Sequence, residues 1–300
     1  MAEHVKEKQI GALGFCALSI PGILYLPQRE WGWMLVVLGA SMLITAVGKP
    51  LPMESTSRSL RILVIPLFIW NVVMASRIVW DISAVHRVSS PLPGILLLIL
   101  GAYGVKKRVL PVVGAVLMFF LVGIYGILYL FALPEVQWDR VMSGGQWDPV
   151  GIAYGFLPLL LIYMYKGENK KSRWIWLLMG AGLTVGAAVI TKGLNAPNFF
   201  TASMSVNVLG TMERLEPFVG VAVTAGGFCL MGMLFHVNEN LWKIIWMGKK
   251  KYPIEIIMIM GIISIWLIPK GETGIIDLGT TLCWGLIPII TQLVVTGKKE

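Results

Sequence analysis

Apolar residues gather into ten stretches along the chain, and short polar connectors separate these stretches. Most of them are close to the roughly 20 residues that an α-helix needs to cross the hydrocarbon core of a bilayer. The pattern predicts an all-α integral membrane protein with about ten transmembrane helices. In chain order, the predicted spans are 9–27, 31–48, 60–82, 91–105, 109–133, 151–165, 174–192, 215–236, 253–269 and 274–296.

Lys and Arg are concentrated in every second connector. The positive-inside rule counts these residues in short loops, and it therefore predicts that both termini face the cytoplasm. Connector 134–150 is predicted to be external, and it holds three acidic residues against a single arginine, Arg140. The fourth span is short, but without it the basic turn 106–108 would face outside. The basic connectors are 4–8, 49–61, 106–108, 166–173, 243–251 and 298–299.

Composition agrees with a membrane protein and narrows the chemistry. Hydrophobic residues make up 56% of the chain, charged residues 14%, and the mean hydropathy is +0.76. The net charge of +9 is spread over short loops, which favours a bilayer with anionic lipid as partner over nucleic acid. Cys16, Cys229 and Cys283 lie inside predicted spans and indicate neither a disulfide framework nor a metal site. No P-loop, Gly-x-Ser-x-Gly or HExxH motif is present, so we expect neither an enzyme nor a cofactor.

The ten spans divide into two sets of five, residues 1–133 and 151–300, within one polytopic membrane domain. Because five is an odd number, the second set would cross in the opposite sense, as in the inverted repeats of secondary transporters. The first helix of each set carries helix-breaking residues, Pro21 and Gly22 in one and Gly155 and Pro158 in the other. We predict that both helices are broken near the midplane. Ordinary kinks without a ligand are the alternative.

Several short motifs follow one another in a characteristic order. They are G-I-L-Y-L-P at 22–27, the stretch 101–108 before the fifth span, the Lys170-Lys171 pair after the sixth, N-F-F at 198–200 and G-T-M-E-R-L-E at 210–216. In this order they resemble the endospore germination permeases. These are the B-type subunits of spore nutrient-germinant receptors, within the amino acid/polyamine/organocation transporter superfamily.

This resemblance implies a LeuT-like 5+5 inverted-repeat fold in the cell membrane or the spore inner membrane. It also implies a small nutrient such as an amino acid as ligand, and A-type and C-type germinant-receptor subunits as partners. The chain departs from the family in its short connectors around the third span. It departs again at Phe156, where the family usually has a glutamate. The missing carboxylate argues against proton-coupled transport, because such a cycle needs a titratable group near the site.

The predicted ligand site lies between the two broken helices. Unwound helices expose backbone N–H groups, and the N-termini of half-helices favour a ligand carboxylate. Aromatic side chains of the sixth span would shape a mostly apolar pocket. The predicted ligand-binding residues are Pro21, Gly22, Ile23, Asn71, Tyr154, Gly155 and Phe156.

Ionisable residues in or beside the spans are candidates for gating and coupling. Arg77 and Asp81 are four residues apart, which predicts either an intrahelical ion pair or a gate at the outer mouth. The segment 195–210 is predicted to be an external amphipathic helix, which Arg214 and Glu216 would couple to the eighth span. Helix capping is the alternative for Glu216. Lys192 is a candidate partner for either acid at the start of the eighth span, Glu213 or Glu216. Three residues are interpreted as the C-terminal cap of the eighth span: His236, Asn238 and Glu239.

Three functions are compatible with these features. In the first, the chain is a germinant-receptor subunit that binds a nutrient and signals to its partners. In the second, it is a secondary amino-acid transporter. In the third, it is a degenerate transporter fold that serves only as a membrane scaffold. Phe156 argues against the second function and lends some weight to the third.

Overall fold

The chain is built from helices. The computed structural model describes residues 2–24, 31–48, 58–86, 89–142, 152–164, 170–196, 199–206, 216–248, 250–267 and 273–297. Within these ranges the backbone is almost entirely helical and contains no strand. The predicted all-α class is therefore confirmed.

The described residues form twelve α-helices and two longer segments of other helix types. Residues Ile152–Tyr163 form what we call the long 3-10 helix. Residues Thr281–Leu286 form what we call the π segment, which joins the last two α-helices. The α-helices are α1 (Ala2–Leu24), α2 (Trp31–Val47), α3 (Arg58–Val85), α4 (Leu92–Lys106), α5 (Leu110–Ala132), α6 (Trp138–Met142), α7 (Lys170–Gly193), α8 (Phe199–Ser205), α9 (Glu216–Ile245), α10 (Ile254–Leu267), α11 (Thr273–Thr280) and α12 (Ile287–Gly297).

Several helices have the length and composition of membrane spans. Five described segments are long and apolar enough to cross a bilayer: Arg58–Val85, Leu110–Glu135, Trp174–Gly193, Pro217–Ile245 and Leu278–Val295. Four further apolar helices are shorter, at 10–17 residues: Leu35–Val47, Leu92–Lys106, Tyr154–Tyr163 and Ile254–Trp266. Many large apolar side chains on their outer faces are exposed. These features are compatible with an integral membrane protein, as the sequence predicts.

Contacts near the helix ends show that α3 and α9 run antiparallel. At one end, Arg61 Nη1 lies 3.4 Å from Met247 Sδ, which joins the start of α3 to the turn after α9. At the other end, His86 Nε2 lies 3.0 Å from Thr224 Oγ1, which joins the turn after α3 to the first turns of α9. The two helices therefore lie side by side along most of their length.

Further contacts bring other charged helix ends to the Arg61 side. Lys106 Nζ at the end of α4 lies 2.6 Å from Glu255 Oε1 at the start of α10. The described basic turns 106–108 and 250–251 therefore lie with Arg61 at one end of the bundle, which we call the basic end.

The packing partners of the helices follow a regular pattern. Helix α1 packs on α5 and α7, while the long 3-10 helix packs on the α11–α12 segment and on α2. Helix α4 packs on α9, while α10 packs on α3. Helix α5 packs on α9. The last helical segment, by which we mean α11, the π segment and α12 together, packs on α3. The pattern is incomplete, since α1 packs closely on α9 whereas the long 3-10 helix has more contact with α9 than with α3.

The predicted interruption of the first helix is wrong. Helix α1 continues through Pro21, Gly22 and Ile23 and ends at Leu24. A proline removes one backbone donor and disturbs the turn before it. Membrane helices nevertheless tolerate prolines, because neighbouring helices and side chains can satisfy the freed backbone carbonyl. The described backbone of α1 therefore stays helical through Pro21 and Gly22.

The sixth predicted span is also uninterrupted, but its helix type is unusual. The backbone at Gly155 and Phe156 belongs to one 3-10 helix of 12 residues. Runs of more than three or four residues are uncommon in this helix type, which rises about 2.0 Å per residue. At that rise, 12 residues cover about 24 Å, against about 18 Å in an α-helix. The tighter winding thus stretches a short apolar segment through the centre of the bundle.

Close packing between α3 and α4 leads to a test of the fold. A Cβ atom added at Gly94 would lie 2.3 Å from the Val79 carbonyl oxygen, a backbone atom that cannot rotate away. We expect Gly94→Ala to lower the free energy of unfolding by about 1–3 kcal/mol, as overpacking does. Denaturant unfolding in mixed micelles, followed by tryptophan fluorescence, measures this change.

Gly123 on α5 provides the matched control. No atom lies within 4 Å of a Cβ added there. Gly123→Ala should leave the stability unchanged or raise it by up to about 1 kcal/mol through helix propensity. Equal stability of the Gly94 and Gly123 variants would contradict the close α3–α4 contact.

Candidate functional site

Two buried asparagines and a tryptophan form a hydrogen-bonded network in the centre of the bundle. Asn71 of α3 is fully buried, and its Nδ2 donates to Asn238 Oδ1 of α9 over 2.8 Å. Asn71 Oδ1 accepts from Trp284 Nε1 of the π segment over 2.8 Å. Asn238 Nδ2 also donates to the Phe68 carbonyl oxygen over 3.4 Å. We call Asn71, Asn238 and Trp284 the central network.

The predicted aromatic residues of the sixth span meet the central network at the π segment. Tyr154 packs edge to face on Trp284, with ring centroids 6.2 Å apart and planes at 78°. The Phe156 ring lies against Gly285, where an added Cβ would be 3.0 Å from it. Three predicted ligand-binding residues, Asn71, Tyr154 and Phe156, are therefore within one or two contacts of Trp284. Gly155, which lies between Tyr154 and Phe156 in the sequence, is also buried.

Contacts with α3 hold the π segment on its α11 side. Trp70 Nε1 donates to Thr280 Oγ1 over 3.1 Å, and Thr280 Oγ1 donates to the Ile276 carbonyl oxygen over 2.7 Å. Gly279 lies directly under the Trp70 ring, with no space for a side chain. Helical π turns are rare and are frequent at functional sites. This one is fixed to α3 at both Thr280 and Trp284.

The space around the central network is small in this conformation. The cavity beside Asn71 and Asn238 measures about 10 Å³ and is also lined by residues of α10. A single water needs at least about 10–15 Å³, and small-molecule pockets usually measure 300–1,000 Å³. At this cavity, a ligand therefore requires the surrounding helices to move apart.

A much larger groove lies elsewhere, between α4, α5 and the first turns of α9. It measures about 690 Å³, and its lining is mainly apolar, including Leu97, Leu117 and Phe228. The hydrogen-bonded pair of His86 and Thr224 supplies polar groups to its lining. Leu100, Phe120 and Val221 of the groove are exposed on the outside of the bundle. The groove thus opens towards the surface that would face lipid.

The third predicted span contains the ion pair that its spacing predicts. Arg77 Nε lies 3.3 Å from Asp81 Oδ2, and both side chains are 19% exposed. On the same helix, Trp80 Nε1 donates a hydrogen bond to the Ile265 carbonyl oxygen of α10 over 3.1 Å. The geometry is that of the intrahelical pair, one of the two alternatives drawn from the sequence.

Lys192 makes its described contact with the backbone of α6, while its pairing with Glu213 or Glu216 stays a prediction because Glu213 lies outside the described residues. Its side chain is buried at the end of α7, and Nζ donates to the Val141 carbonyl oxygen of α6 over 3.0 Å. Gln137 N also donates to the Gly193 carbonyl oxygen over 3.3 Å. The short helix α6 therefore covers the C-terminal end of α7, where a cation is favoured by the helix dipole.

The remaining predicted residues lie at the limits of the described structure. Glu216 is the first residue of α9, whereas Arg214 lies outside the described residues. Among the described residues of the predicted external helix 195–210, Phe199–Ser205 form an α-helix. Phe199 is buried there and stacks on Tyr125, with ring centroids 6.3 Å apart. Pro21, Gly22 and Ile23 are described only as part of the α1 backbone.

Sequence reasoning missed two members of the central network. It interpreted Asn238 as part of a helix cap, but α9 continues to Ile245 and places Asn238 inside the bundle. Glu239, its neighbour, pairs instead with Lys243 at 2.6 Å and with His236 at 3.6 Å. A signal for Trp284 was present, since it lies in the middle of an apolar span, whereas interfacial tryptophans lie at span ends.

The central network predicts an energetic coupling between Asn71 and Asn238. We expect a double-mutant cycle of Asn71→Ala and Asn238→Ala to give a coupling between about 0.6 and 1.7 kcal/mol, the average and the maximum for hydrogen bonds between membrane helices. Unfolding in mixed micelles provides the four stabilities. As control, Asn71→Ala combined with Thr184→Ala on α7 should be additive within about 0.5 kcal/mol. Additivity of the two asparagine substitutions would contradict the network.

Comparison with protein families and with curated proteins identifies no relative of this chain. No protein-family model matches the chain, and no curated protein is significantly similar to it. The likeness to germination permeases therefore rests on the short motifs of the sequence. The central network, the groove and the basic end are observations of the structure and do not depend on that likeness.

Proposed function

We propose that this chain is a ten-span membrane protein with two inverted five-helix halves, and that it senses a small nutrient. Residues 1–133 and 151–300 would form the halves. In this proposal the chain is the B-type subunit of a spore germinant receptor. It binds an amino-acid-like nutrient in a transporter-type fold and signals to A-type and C-type subunits in the spore inner membrane.

The packing pattern of the helices supports the two related halves. In this arrangement each span corresponds to the span five places away in the other half, so that the first corresponds to the sixth and the second to the seventh. The α1–α7 contact then corresponds to the contact of the long 3-10 helix with α2. In the same way, α1–α5 becomes the contact of the long 3-10 helix with the last helical segment. The α4–α9 and α10–α3 contacts also exchange. An approximate two-fold relation between halves is the plan of many transporters.

The basic end supports the orientation. Arg61, Lys106 and Lys250 belong to different helix ends that lie on one side of the bundle. Lys and Arg near span ends favour the cytoplasmic side. The proposal therefore has both termini in the cytoplasm and α6 and α8 on the outer side.

The central network carries the proposal that the protein responds to a ligand. It joins Asn71 of the first half to Asn238 and Trp284 of the second, in the place where Tyr154 and Phe156 also meet. Its groups are neutral hydrogen-bond donors and acceptors inside an apolar bundle. The ammonium and carboxylate groups of an amino acid would replace the bonds between the asparagines, while the aromatic rings would contact its side chain.

Sensing follows if the ligand favours an open arrangement of the same helices. The small cavity at Asn71 corresponds to a closed state, and a ligand shifts the equilibrium by its differential affinity for the two states. Phe156, at the position where the germination permeases usually have a glutamate, contacts Gly285. The proposed site therefore lacks a proton-binding group at that position. This substitution favours a sensor over a proton-coupled transporter.

The orientation is tested by labelling single cysteines from outside intact cells. In a chain with Cys16, Cys229 and Cys283 replaced by alanine, Asp139→Cys should react with an impermeant maleimide, because its connector is external. Lys107→Cys should react only after the membrane is permeabilised. Both positions are exposed in the structure. Labelling of position 107 in intact cells would contradict the ten-span topology.

Ligand binding is tested by thermal unfolding of the full chain in nanodiscs with a panel of amino acids. A nutrient at 100 times its Kd should stabilise the protein by about 2.7 kcal/mol. Asn71→Leu, which removes both hydrogen bonds of the amide, should abolish this effect. Thr184→Ala, a buried hydroxyl deletion on α7, should retain it.

Uptake into proteoliposomes separates the sensor from the transporter. We expect the nutrient that stabilises the protein to show no accumulation above its equilibrium level under a proton gradient. Saturable, gradient-driven accumulation would contradict sensing and favour the transporter. If no amino acid changes the stability, the nutrient-binding proposal fails.

A further inference from the structure

Three buried hydrogen-bond donors at the basic end lack an acceptor among the described residues. They are Arg61 Nε at the start of α3, Trp242 Nε1 near the end of α9, and the Tyr252 hydroxyl before α10. A buried donor without a partner costs about 1–3 kcal/mol, and more when the group is charged. One such atom in a structure is unremarkable, but three on neighbouring elements indicate a missing acceptor.

The three donors lie along one aromatic strip. The Trp242 ring lies 6.4 Å from Tyr252, 5.8 Å from Phe68 and 5.6 Å from Trp246, measured between ring centroids. At the end of the strip, Arg61 Nη1 contacts Met247 Sδ at 3.4 Å. The strip therefore runs from the first turns of α3 across the last turns of α9 to the chain before α10.

The charges around the strip are mainly positive. Lys250 Nζ lies 3.6 Å from the centroid of the Trp246 ring, and Arg58 and Lys251 are exposed beside the strip in the chain. The described acidic residues of this region are Glu239, which pairs with Lys243 at 2.6 Å and with His236 at 3.6 Å, and Glu255, which pairs with Lys106 at 2.6 Å. Both carboxylates therefore have a cationic partner, and the described basic residues around the strip outnumber them.

We propose that this strip, residues Arg61, Trp242 and Tyr252 with Lys250, binds the phosphate of an anionic phospholipid. A phosphate offers several acceptor oxygens and no obligatory donor, which matches two N–H groups and one O–H group. Arginine suits it because its planar group can bind phosphate through two nitrogens.

Two features favour a lipid over a soluble phosphate compound. The basic end faces the cytoplasmic leaflet in the proposed topology, on which this inference rests, and anionic lipid is attracted to basic residues there. Next to Arg61, α3 also exposes Ile62, Ile65 and Ile69, which are 60%, 39% and 56% exposed. These three side chains are spaced along one helix face. They provide an apolar surface for acyl chains below the phosphate.

Variants that remove each donor test the site. Tyr252→Phe deletes the O–H and keeps the ring, Arg61→Lys replaces the guanidinium by an ammonium and keeps the charge, and Trp242→Phe deletes the N–H together with part of the ring. We expect each to weaken binding of phosphatidylglycerol to the full chain in a neutral detergent by about 5- to 20-fold. Native mass spectrometry and the lipid-dependent rise in Tm provide two measurements. Tyr103→Phe is the matched control, since Tyr103 lies near the basic end but is exposed.

The lipid-free protein provides a readout that a structural role would not reproduce. If the Tyr252 hydroxyl lacks a partner there, Tyr252→Phe should leave the lipid-free Tm unchanged or raise it while lowering lipid binding. A fall in the lipid-free Tm without a change in lipid affinity would overturn the proposal.

The source of the phosphate is decided by competition. Phosphatidylglycerol should bind at least tenfold more tightly than phosphatidylcholine, and glycerol phosphate should not displace it at millimolar concentration. Equal binding of the two lipids would overturn the anion site, and displacement by glycerol phosphate would overturn the lipid assignment. These outcomes do not depend on nutrient binding, so the lipid site and the sensor function can fail separately.

Discussion

The amide of Asn71 links three helices that apolar packing alone would not hold in one register. It donates to Asn238 on α9 and accepts from Trp284 on the π segment. Between membrane helices there is little hydrophobic driving force, so association depends on close packing and on hydrogen bonds. An unpaired amide in hydrocarbon costs several kcal/mol. The position of α3 against both α9 and the last helical segment therefore depends on this network.

Close packing supplies the remaining constraint, and it explains the unusual helices around the network. Gly279 lies under the Trp70 ring and Gly285 lies against Phe156, so small residues let the last helical segment approach both α3 and the long 3-10 helix. The π segment brings Trp284 to Asn71 while Thr280 remains bonded to Trp70. A regular α-helix through these residues would orient the two side chains differently, because its turns contain fewer residues.

The C-terminal part of α9 connects the centre of the bundle to the basic end. It contributes Asn238 to the central network and, one turn later, Trp242 to the strip of donors. In the proposed function, a nutrient that separates Asn71 from Asn238 would displace α9 against α3. The same displacement would alter the distance between Arg61 and Trp242, where we propose that a phospholipid binds. Nutrient and lipid would then influence each other's affinity, since such coupling is reciprocal.

The sequence alone was sufficient to predict the all-α class with long apolar helices, the short fourth helix and, as one of two alternatives, the Arg77–Asp81 ion pair. Apolar length, basic connectors and i,i+4 spacing are local properties of the chain. Local pattern was misleading at Pro21, because whether a proline breaks a membrane helix depends on whether neighbouring helices satisfy the freed backbone group. The partners of Asn71 were beyond sequence reasoning, since Asn238 is 167 and Trp284 is 213 residues away. Which side chain meets that amide was decided by the packing of whole helix faces, and only the tertiary structure determines that packing.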